Sequence, residues 1–402
     1  MVTTSVSVRF ILAVGAAVAA GSVFPTELEP GHEVDERPPD RWVAKPAATQ
    51  GAGQQCFPEV QEGSARLYDS ESGASEWFGG IRGGVIAGDG TWVIADWRRR
   101  YLHFIGPEGS HRLVGGEGEG PGEFRSVTRL WLHSPDTVAA YDFSTARVTL
   151  FDSSGALIDS RLGPANQPLM RVVANVPGVG ILYRRNLTGH GAMGVGFFRD
   201  SVEYVVSDAE EEVVAFGPFP TTDRYLEGFP LAPVPFGLRL TIRLLGGGQF
   251  LVAPGKEPRF EILDLEAGTT RTIQLPLEAR TVDGEAVQAV EGAVEAPYAP
   301  DVVEAFLTEG PRTEVAPVYS DAHIDRDGWI WVQEFPFPGE PATYLILDQE
   351  GRELQQRLVL PSSAPNDPSP LLDADGSTAL FRAEDEVGTP LLLVLDRRCP
   401  GG

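Results

Sequence analysis

Phe260-Glu261-Ile262-Leu263-Asp264 is a run of strand-forming residues that stops at an aspartate, and the chain repeats it. Related copies are Tyr101-Leu102-His103-Phe104-Ile105-Gly106, Val148-Thr149-Leu150-Phe151-Asp152 and Val202-Glu203-Tyr204-Val205-Val206-Ser207-Asp208. Two more follow, Tyr344-Leu345-Ile346-Leu347-Asp348 and Leu392-Leu393-Val394-Leu395-Asp396. The closing residues stand at 106, 152, 208, 264, 348 and 396, giving successive spacings of 46, 56, 56, 84 and 48. Spacings of this size suit one four-stranded blade of a radial β-architecture. About ten residues upstream of each copy lies a second β signal: Trp92 to Asp96, Val138 to Asp142, Gly180 to Tyr183, Phe250 to Ala253, Trp329 to Val332 and Ala379 to Phe381. Turn pairs precede these signals: Asp89-Gly90, Pro135-Asp136, Pro177-Gly178, Gly247-Gly248, Asp327-Gly328 and Asp375-Gly376. Glycine reaches positive φ and aspartate bonds its own backbone, so such a turn before a β-branched or aromatic run favours a hairpin. Six turns in phase with six markers predict an all-β fold, a six-bladed β-propeller with four-stranded blades over residues 56–402.

The interval of 84 is too long for one blade. Its excess lies in Ala279 to Val315, where Ala286, Val287, Val290 and Val294, then Val302, Val303, Phe306 and Leu307, fall at helical spacing. Two short helices are expected over about 280–315, between blades four and five, with Asp301 as an N-cap of the second. Two readings stand side by side, a packing appendage and a lid over one face of the propeller.

The remainder of the chain speaks to compartment. Residues 1–20 carry one charge, Arg9, before Phe10-Ile11-Leu12-Ala13-Val14 and an Ala/Gly stretch. That run is short for a membrane span of roughly 20 residues and suits a secretory signal peptide, a short buried helix being the other reading. Residues 21–55 form a polar, Pro-rich and acidic linker expected to be disordered. Two cysteines, Cys56 and Cys399, bracket the repeats, and in an oxidising compartment an even pair reads as a disulfide; two free thiols are the alternative. Export to a secreted or periplasmic location is therefore expected. The full chain of 402 residues is 42% hydrophobic, enough for a substantial core. Its Gly 46 and Pro 33 agree with many turns. A formal charge of −25 repels phosphate backbones and anionic lipid, so nucleic-acid binding and membrane insertion of the mature chain are not expected.

Gly115-Gly116-Glu117-Gly118-Glu119-Gly120-Pro121-Gly122-Glu123-Phe124 contains Gly-x-Gly spacing without a following Lys-Ser/Thr, and its interleaved carboxylates oppose phosphate. With the strand after it and Tyr141-Asp142, it resembles the inter-blade signature of NHL-type and related bacterial six-bladed β-propellers. The resemblance covers about residues 80–160 and is looser toward the C-terminus; Phe197-Phe198 and Phe216 to Phe236 depart from it. Such propellers commonly complete one blade with strands from both chain ends. Ala65-Arg66-Leu67-Tyr68 is the segment expected to close the sixth blade and to bring Cys56 near Cys399.

Propellers bind ligands along a central channel lined by the first strand of each blade. Counting back from the turns puts Gly83, Arg129, Arg171, Thr241, Asp321 and Ser369 at one ring position, and Val85, Trp131, Val173, Arg243, His323 and Leu371 two residues on. One carboxylate and three arginines do not suit an oxygen-rich divalent site, so no metal or other cofactor is expected. Asp325-Arg326-Asp327-Gly328 and Asp373-Ala374-Asp375-Gly376 lack the distal Glu of a calcium loop and sit at turn positions. Arg129, Arg171 and Arg243, with Asp321 and His323, are the candidate ligand-binding residues; an anion site competes with ordinary pairing of Arg129 or Arg171 to Asp321. No nucleophile elbow or His-Glu-x-x-His motif is present. The expected function is an exported binding module for a protein, peptide, glycan or anionic small ligand. The alternative is a channel-centred lyase or lactonase-like hydrolase.

Overall fold

The repeated runs fold into six sheets of antiparallel blade strands, and over its described residues the computed structural model is nearly all-β, with one helix of nine residues. It describes residues 11–12, 65–68 and 78–396, the last with gaps, the longest at 163–169, 188–195, 293–303 and 361–370. Cys56, Cys399, Asp301, the 21–55 linker and all of the expected signal peptide except Ile11–Leu12 lie outside the described residues.

Apart from segments joining the third and sixth, each sheet takes its strands in chain order. The first holds Ile81–Ile86, Trp92–Asp96, Tyr101–Ile105 and His111–Gly115, and the second Val127–Ser134, Thr137–Asp142, Arg147–Asp152 and Leu157–Leu162. The third holds Met170–Val176, Gly180–Asn186, Gly196–Ser207 and Glu212–Leu226. The fourth holds Thr241–Gly246, Gln249–Ala253, Arg259–Asp264 and Thr270–Gln274, and the fifth Tyr319–Ile324, Ile330–Glu334, Thr343–Leu347 and Leu358–Val359. In the sixth, Leu371–Ala374, Thr378–Glu384 and Pro390–Asp396 are joined by Ala65–Tyr68, with Ala65 opposite Leu395 and Tyr68 opposite Leu392. The third sheet departs from four strands: Ala232–Pro233 pairs its outer strand antiparallel and Ile11–Leu12 pairs it in parallel.

The marker aspartates form because a carboxylate can accept the amides of its own turn. Asp152 accepts Ser154 N and Ala156 N, each at 2.9 Å, and Asp348 accepts Glu350 N at 3.0 Å and Arg352 N at 2.8 Å. The Asp-x-Asp-Gly runs do the same work. Asp325 accepts Asp327 N, Trp329 N and Trp331 Nε1 at 2.9 to 3.0 Å, and Asp375 accepts Ser377 N and Thr378 N at 2.8 and 2.9 Å.

Apolar cores lie between successive sheets. Leu102, Phe104 and Phe124 meet Val138 and Phe151 between the first and second, and Trp131 and Tyr141 meet Val172 and Tyr183 between the second and third. Phe216 meets Phe250, Phe260 meets Tyr319, and Trp331 meets Phe381 and Leu393 in the next three. Ile81, Trp92 and Ile94 of the first sheet pack with Leu380, Leu392 and Val394 of the sixth. Burying each such side chain removes about 1.5–3 kcal/mol of unfavourable hydration. Sheets stacked side by side through both faces, in chain order, are the construction of a β-propeller.

Antiparallel pairing sends alternate loops to opposite faces. The connectors from one blade to the next share a face with the loops joining second to third strands; the first-to-second turns lie on the other. The insertion is one of those connectors, and it contains the helix Gly284–Gly292, whose Ala286 N is capped by Asp283 Oδ1 at 2.9 Å. The described cap is thus Asp283, and beyond the helix only Glu304–Ala305 and Leu307–Thr308 have helical backbone among the described residues. Ala286, Val290, Ala305 and Ala316 pack against Tyr225, Val234 and Phe236 from the third blade and its connector, and against Phe335 of the fifth. Arg280 clamps the base: its two terminal nitrogens donate to Glu340 at 2.7 Å each, and its guanidinium lies 3.8 Å from the centre of the Phe337 ring. The described part of the insertion therefore packs against the third and fifth blades on the connector face.

Candidate functional site

Three inner strands carry a bulge near their start, and each bulge fixes which side chain takes the equivalent place on the ring. The register slips between Ile81 and Gly83, between Val127 and Arg129, and between Tyr319 and Asp321. Gly83, Arg129 and Asp321 each come directly after that slip and so hold one ring position, near the connector face. The sixth blade slips between Leu371 and Asp373, which makes Asp373 the residue after its bulge. Arg171 opens the third inner strand opposite Arg184, and Arg243 lies on the fourth opposite Leu251.

Arg243 and Asp321 form a pair between adjacent blades. Arg243 Nη2 donates to both carboxylate oxygens, at 2.9 and 3.2 Å, and its Nη1 donates to Ile242 O at 3.2 Å. Thr241 Oγ1 adds a bond to Asp321 Oδ1 at 2.9 Å. Asp321, the carboxylate expected as a partner of Arg129 or Arg171, is thus hydrogen-bonded by Arg243.

Arg129 is exposed to water yet has protein on many sides. That enclosure lowers its pKa to about 10; Arg243, Arg82 and Arg184 push the same way and Asp321 opposes them. It remains a cation at neutral pH. Arg171 is lowered by burial first, then by Arg184 and Arg82, and its guanidinium lies 5.3 Å from the centre of the Phe143 ring. Among the described residues, Arg82, Arg129 and Arg171 donate no hydrogen bond to the protein, whereas Arg184 reaches Asn186 Oδ1 at 3.2 Å. Arg82 and Arg184 thus act on both Arg129 and Arg171, Arg243 acts on Arg129, and Asp321 is the carboxylate that acts on Arg129.

His323 belongs elsewhere. It lies toward the far end of its strand, with Nε2 3.4 Å from Asp373 Oδ1, while Asp373 Oδ2 accepts Ile86 N at 2.8 Å. Arg326 stands 4.0 Å from the same carboxylate and donates to Ala87 O at 3.4 Å. This group joins blades five, six and one near the turn face and is separate from the arginine cluster. Asp373, Arg82, Arg184 and Arg382 escaped the count along the inner strands. Arg382 donates to Ile81 O at 3.2 Å; burial lowers its pKa, Arg82 adds to that, and Glu384 opposes.

Asp96 and Asp142, the acids ending the second strands of the first two blades, are fully used in structure. Asp96 accepts Gly79 N at 2.6 Å, Arg98 N at 3.1 Å and Arg99 N at 3.0 Å; Asp142 accepts Arg125 N, Ser126 N and Thr145 N at 2.5, 2.7 and 2.9 Å. Each ties an incoming connector to a loop of its own blade. The Gly-rich connector is closed in the same manner: Gly120 N donates to Glu123 Oε2 at 2.9 Å, Arg125 pairs with Glu119 at 2.9 Å, and Phe124 is buried. Gly115, at φ 107°, lies so close that a Cβ there would stand 2.8 Å from the Phe124 ring. Among the described residues, no three His, Cys, Asp or Glu converge as metal ligands would. No described helix is long and apolar enough to cross a membrane.

No family model and no curated protein matches the chain. Among solved structures it is similar to virginiamycin B lyase from Staphylococcus aureus, at 10% identity over 82% of this chain and 87% of that one, with a TM-score of 0.36. It is similar to the calcium-binding protein regucalcin from Agrobacterium tumefaciens, at 12% identity over 80% and 91% of the two chains, with a TM-score of 0.38. A member of the DUF4221 family from Bacteroides vulgatus gives 8% identity over 86% and 96%, with a TM-score of 0.47.

Proposed function

We propose that this chain is an exported binding protein whose channel mouth, on the connector face, takes an anionic small ligand or peptide. The observation that carries the reading is that Arg82 acts on both Arg129 and Arg171, and that none of these three arginines has a hydrogen-bonded counter-charge among the described residues. Like charges gathered without partners cost free energy unless something neutralises them. A guanidinium offers a carboxylate two parallel donors, so an anion is the natural complement. The chain as a whole is strongly acidic, but at a Debye length of roughly 8 Å in physiological salt its outer carboxylates are largely screened from the mouth.

The reading includes a closed ring of six blades of the NHL-like kind. Support comes from the sheet count, from the core shared by the sixth and first sheets, and from Ala65–Tyr68 beside Pro390–Asp396. A Cys56–Cys399 bridge would then fasten the strand that completes the last blade. The signal-like N-terminus supports export.

Calorimetry with matched anionic and neutral ligands tests the site. Arg129→Ala with Arg171→Ala should abolish anion binding while the thermal midpoint stays near that of the wild type, since both side chains are exposed. Equal binding by the two proteins, or a preference for cations, would overturn the proposal.

A further inference from the structure

The residue just beyond the end of the second strand is apolar in four blades: Trp97 after Asp96, Phe143 after Asp142, Leu187 after Asn186 and Phe335 after Glu334. In the fifth blade it is covered, because Phe335 is buried beneath the insertion beside Phe236. In the first three it is bare, with Trp97 42%, Phe143 46% and Leu187 49% exposed. Trp97 and Phe143 are also fixed close to the channel. Trp97 N donates to Gly80 O at 3.0 Å and Phe143 N to Ser126 O at 2.9 Å, each acceptor immediately preceding an inner strand. The indole lies across Gly80, where an added Cβ would stand 2.6 Å from Nε1, so the absence of a side chain there makes its seat.

The same blades carry the arginines of the cluster. Arg171 reaches from the third blade to the Phe143 ring of the second, and Arg98 lies 5.4 Å from the centre of the Trp97 ring. Exposed aromatic surface costs free energy in water, and the Phe143 ring adjoins Arg171, which has no hydrogen-bonded counter-charge among the described residues. A small hydrophilic anion would satisfy the arginines and leave both rings wet. A neutral apolar molecule would cover the rings and leave the charges unpaired.

Resting on the anion-site reading above, we infer that the ligand is a small amphipathic carboxylate, with an aryl or acyl body. Its carboxylate would meet Arg129 and Arg171, and its apolar body would lie across Phe143 and Trp97. The described part of the insertion packs on the third and fifth blades, whereas Trp97 and Phe143 belong to the first and second.

Calorimetry on the full chain with 3-phenylpropanoate, 3-phenylpropanamide, acetate and succinate separates the two layers of this reading. The wild type should bind 3-phenylpropanoate about tenfold tighter than acetate, succinate or the amide, a margin equivalent to about 1.4 kcal/mol. Phe143→Ala with Trp97→Ala should erase that margin, read as the ratio of 3-phenylpropanoate to acetate affinity within the same variant. Phe143→Leu alone, which keeps apolar bulk, guards against misfolding and should retain part of the margin. Tighter binding of succinate than of 3-phenylpropanoate, or an unaltered margin in the double aromatic variant, overturns the amphipathic ligand and leaves the anion site standing. Full 3-phenylpropanoate affinity in the Arg129→Ala, Arg171→Ala variant, or no binding of any of the four probes, overturns both.

Discussion

Replacing Asp96 with alanine should remove more stability than any change at the channel mouth. Its carboxylate is fully buried and accepts three backbone amides, from Gly79, Arg98 and Arg99. A hydrogen bond to a charged group contributes about 1.5–3 kcal/mol, and a buried donor left without its partner costs about 1–3 kcal/mol. Arg98 and Arg99 lie on an exposed turn, where water can replace the lost acceptor. Gly79 is partly covered, and its amide is the one that fastens the incoming connector. Allowing for that recovery, Asp96→Ala should cost about 3–4 kcal/mol and Asp96→Asn about 2 kcal/mol. The asparagine keeps one oxygen but turns an amide nitrogen toward a donor.

The pH dependence comes from the same contacts. Burial opposes the charged form of Asp96, but the nearby His103 imidazole, its Nε2 3.6 Å from Oδ2, and the Gly79 and Arg99 amides outweigh it, holding the carboxyl below its ordinary value of 3.8. A carboxyl depressed in the folded state contributes stability that is fully present above its unfolded pKa. That contribution is lost as pH falls through the folded value. The gap between wild type and Asp96→Asn should therefore be constant near neutral pH and shrink below about pH 4. Urea unfolding followed by tryptophan fluorescence measures both effects through the midpoint at constant slope. A loss below about 1 kcal/mol for Asp96→Ala at pH 7 would refute the staple role.

Asp321→Asn retains an acceptor for Thr241 and Arg243 while removing the carboxylate that opposes the cationic cluster. Anion affinity at the mouth should rise about three- to tenfold by calorimetry, as expected for one unit charge a few ångströms further than contact at intermediate dielectric, and a fall would count against the charge reading. Peptide mapping of exported protein without reductant should recover a fragment linking Cys56 to Cys399. Recovery of both as free thiols would leave ring closure to the pairing of Ala65–Tyr68 with Pro390–Asp396.

The blade repeat was legible because its chemistry is local. Asp152, Asp348 and Asp375 mark turns by bonding amides two to four residues away, and such contacts leave a trace in the sequence itself. The third blade was harder to read, because Gly196–Ser207 and Glu212–Leu226 run 12 and 15 residues and break the short-strand rhythm. Counting along inner strands put Arg129 and Asp321 at one ring position, but a bulge shifts the register by one residue. In the sixth blade the slip lies between Leu371 and Asp373, and Ser369, the residue counted there, lies outside the described residues. Arg184 and Arg382 were invisible to that count because they reach toward the centre from second strands. The choice of Arg243 as partner for Asp321 depends on which blade lies next door, which no single-strand pattern encodes.

The cluster around Phe236 and Phe335 has a consequence for how the molecule comes apart. In a radial array each unit ordinarily touches only its two neighbours, so opening can be confined to one unit. Here apolar residues from the third blade, from the connector after the fourth and from the fifth share a single core that passes over the fourth. Those three units are coupled into one cooperative block. Amide exchange should accordingly show their slowest protons sharing a common opening free energy, while the first and second blades exchange on their own terms.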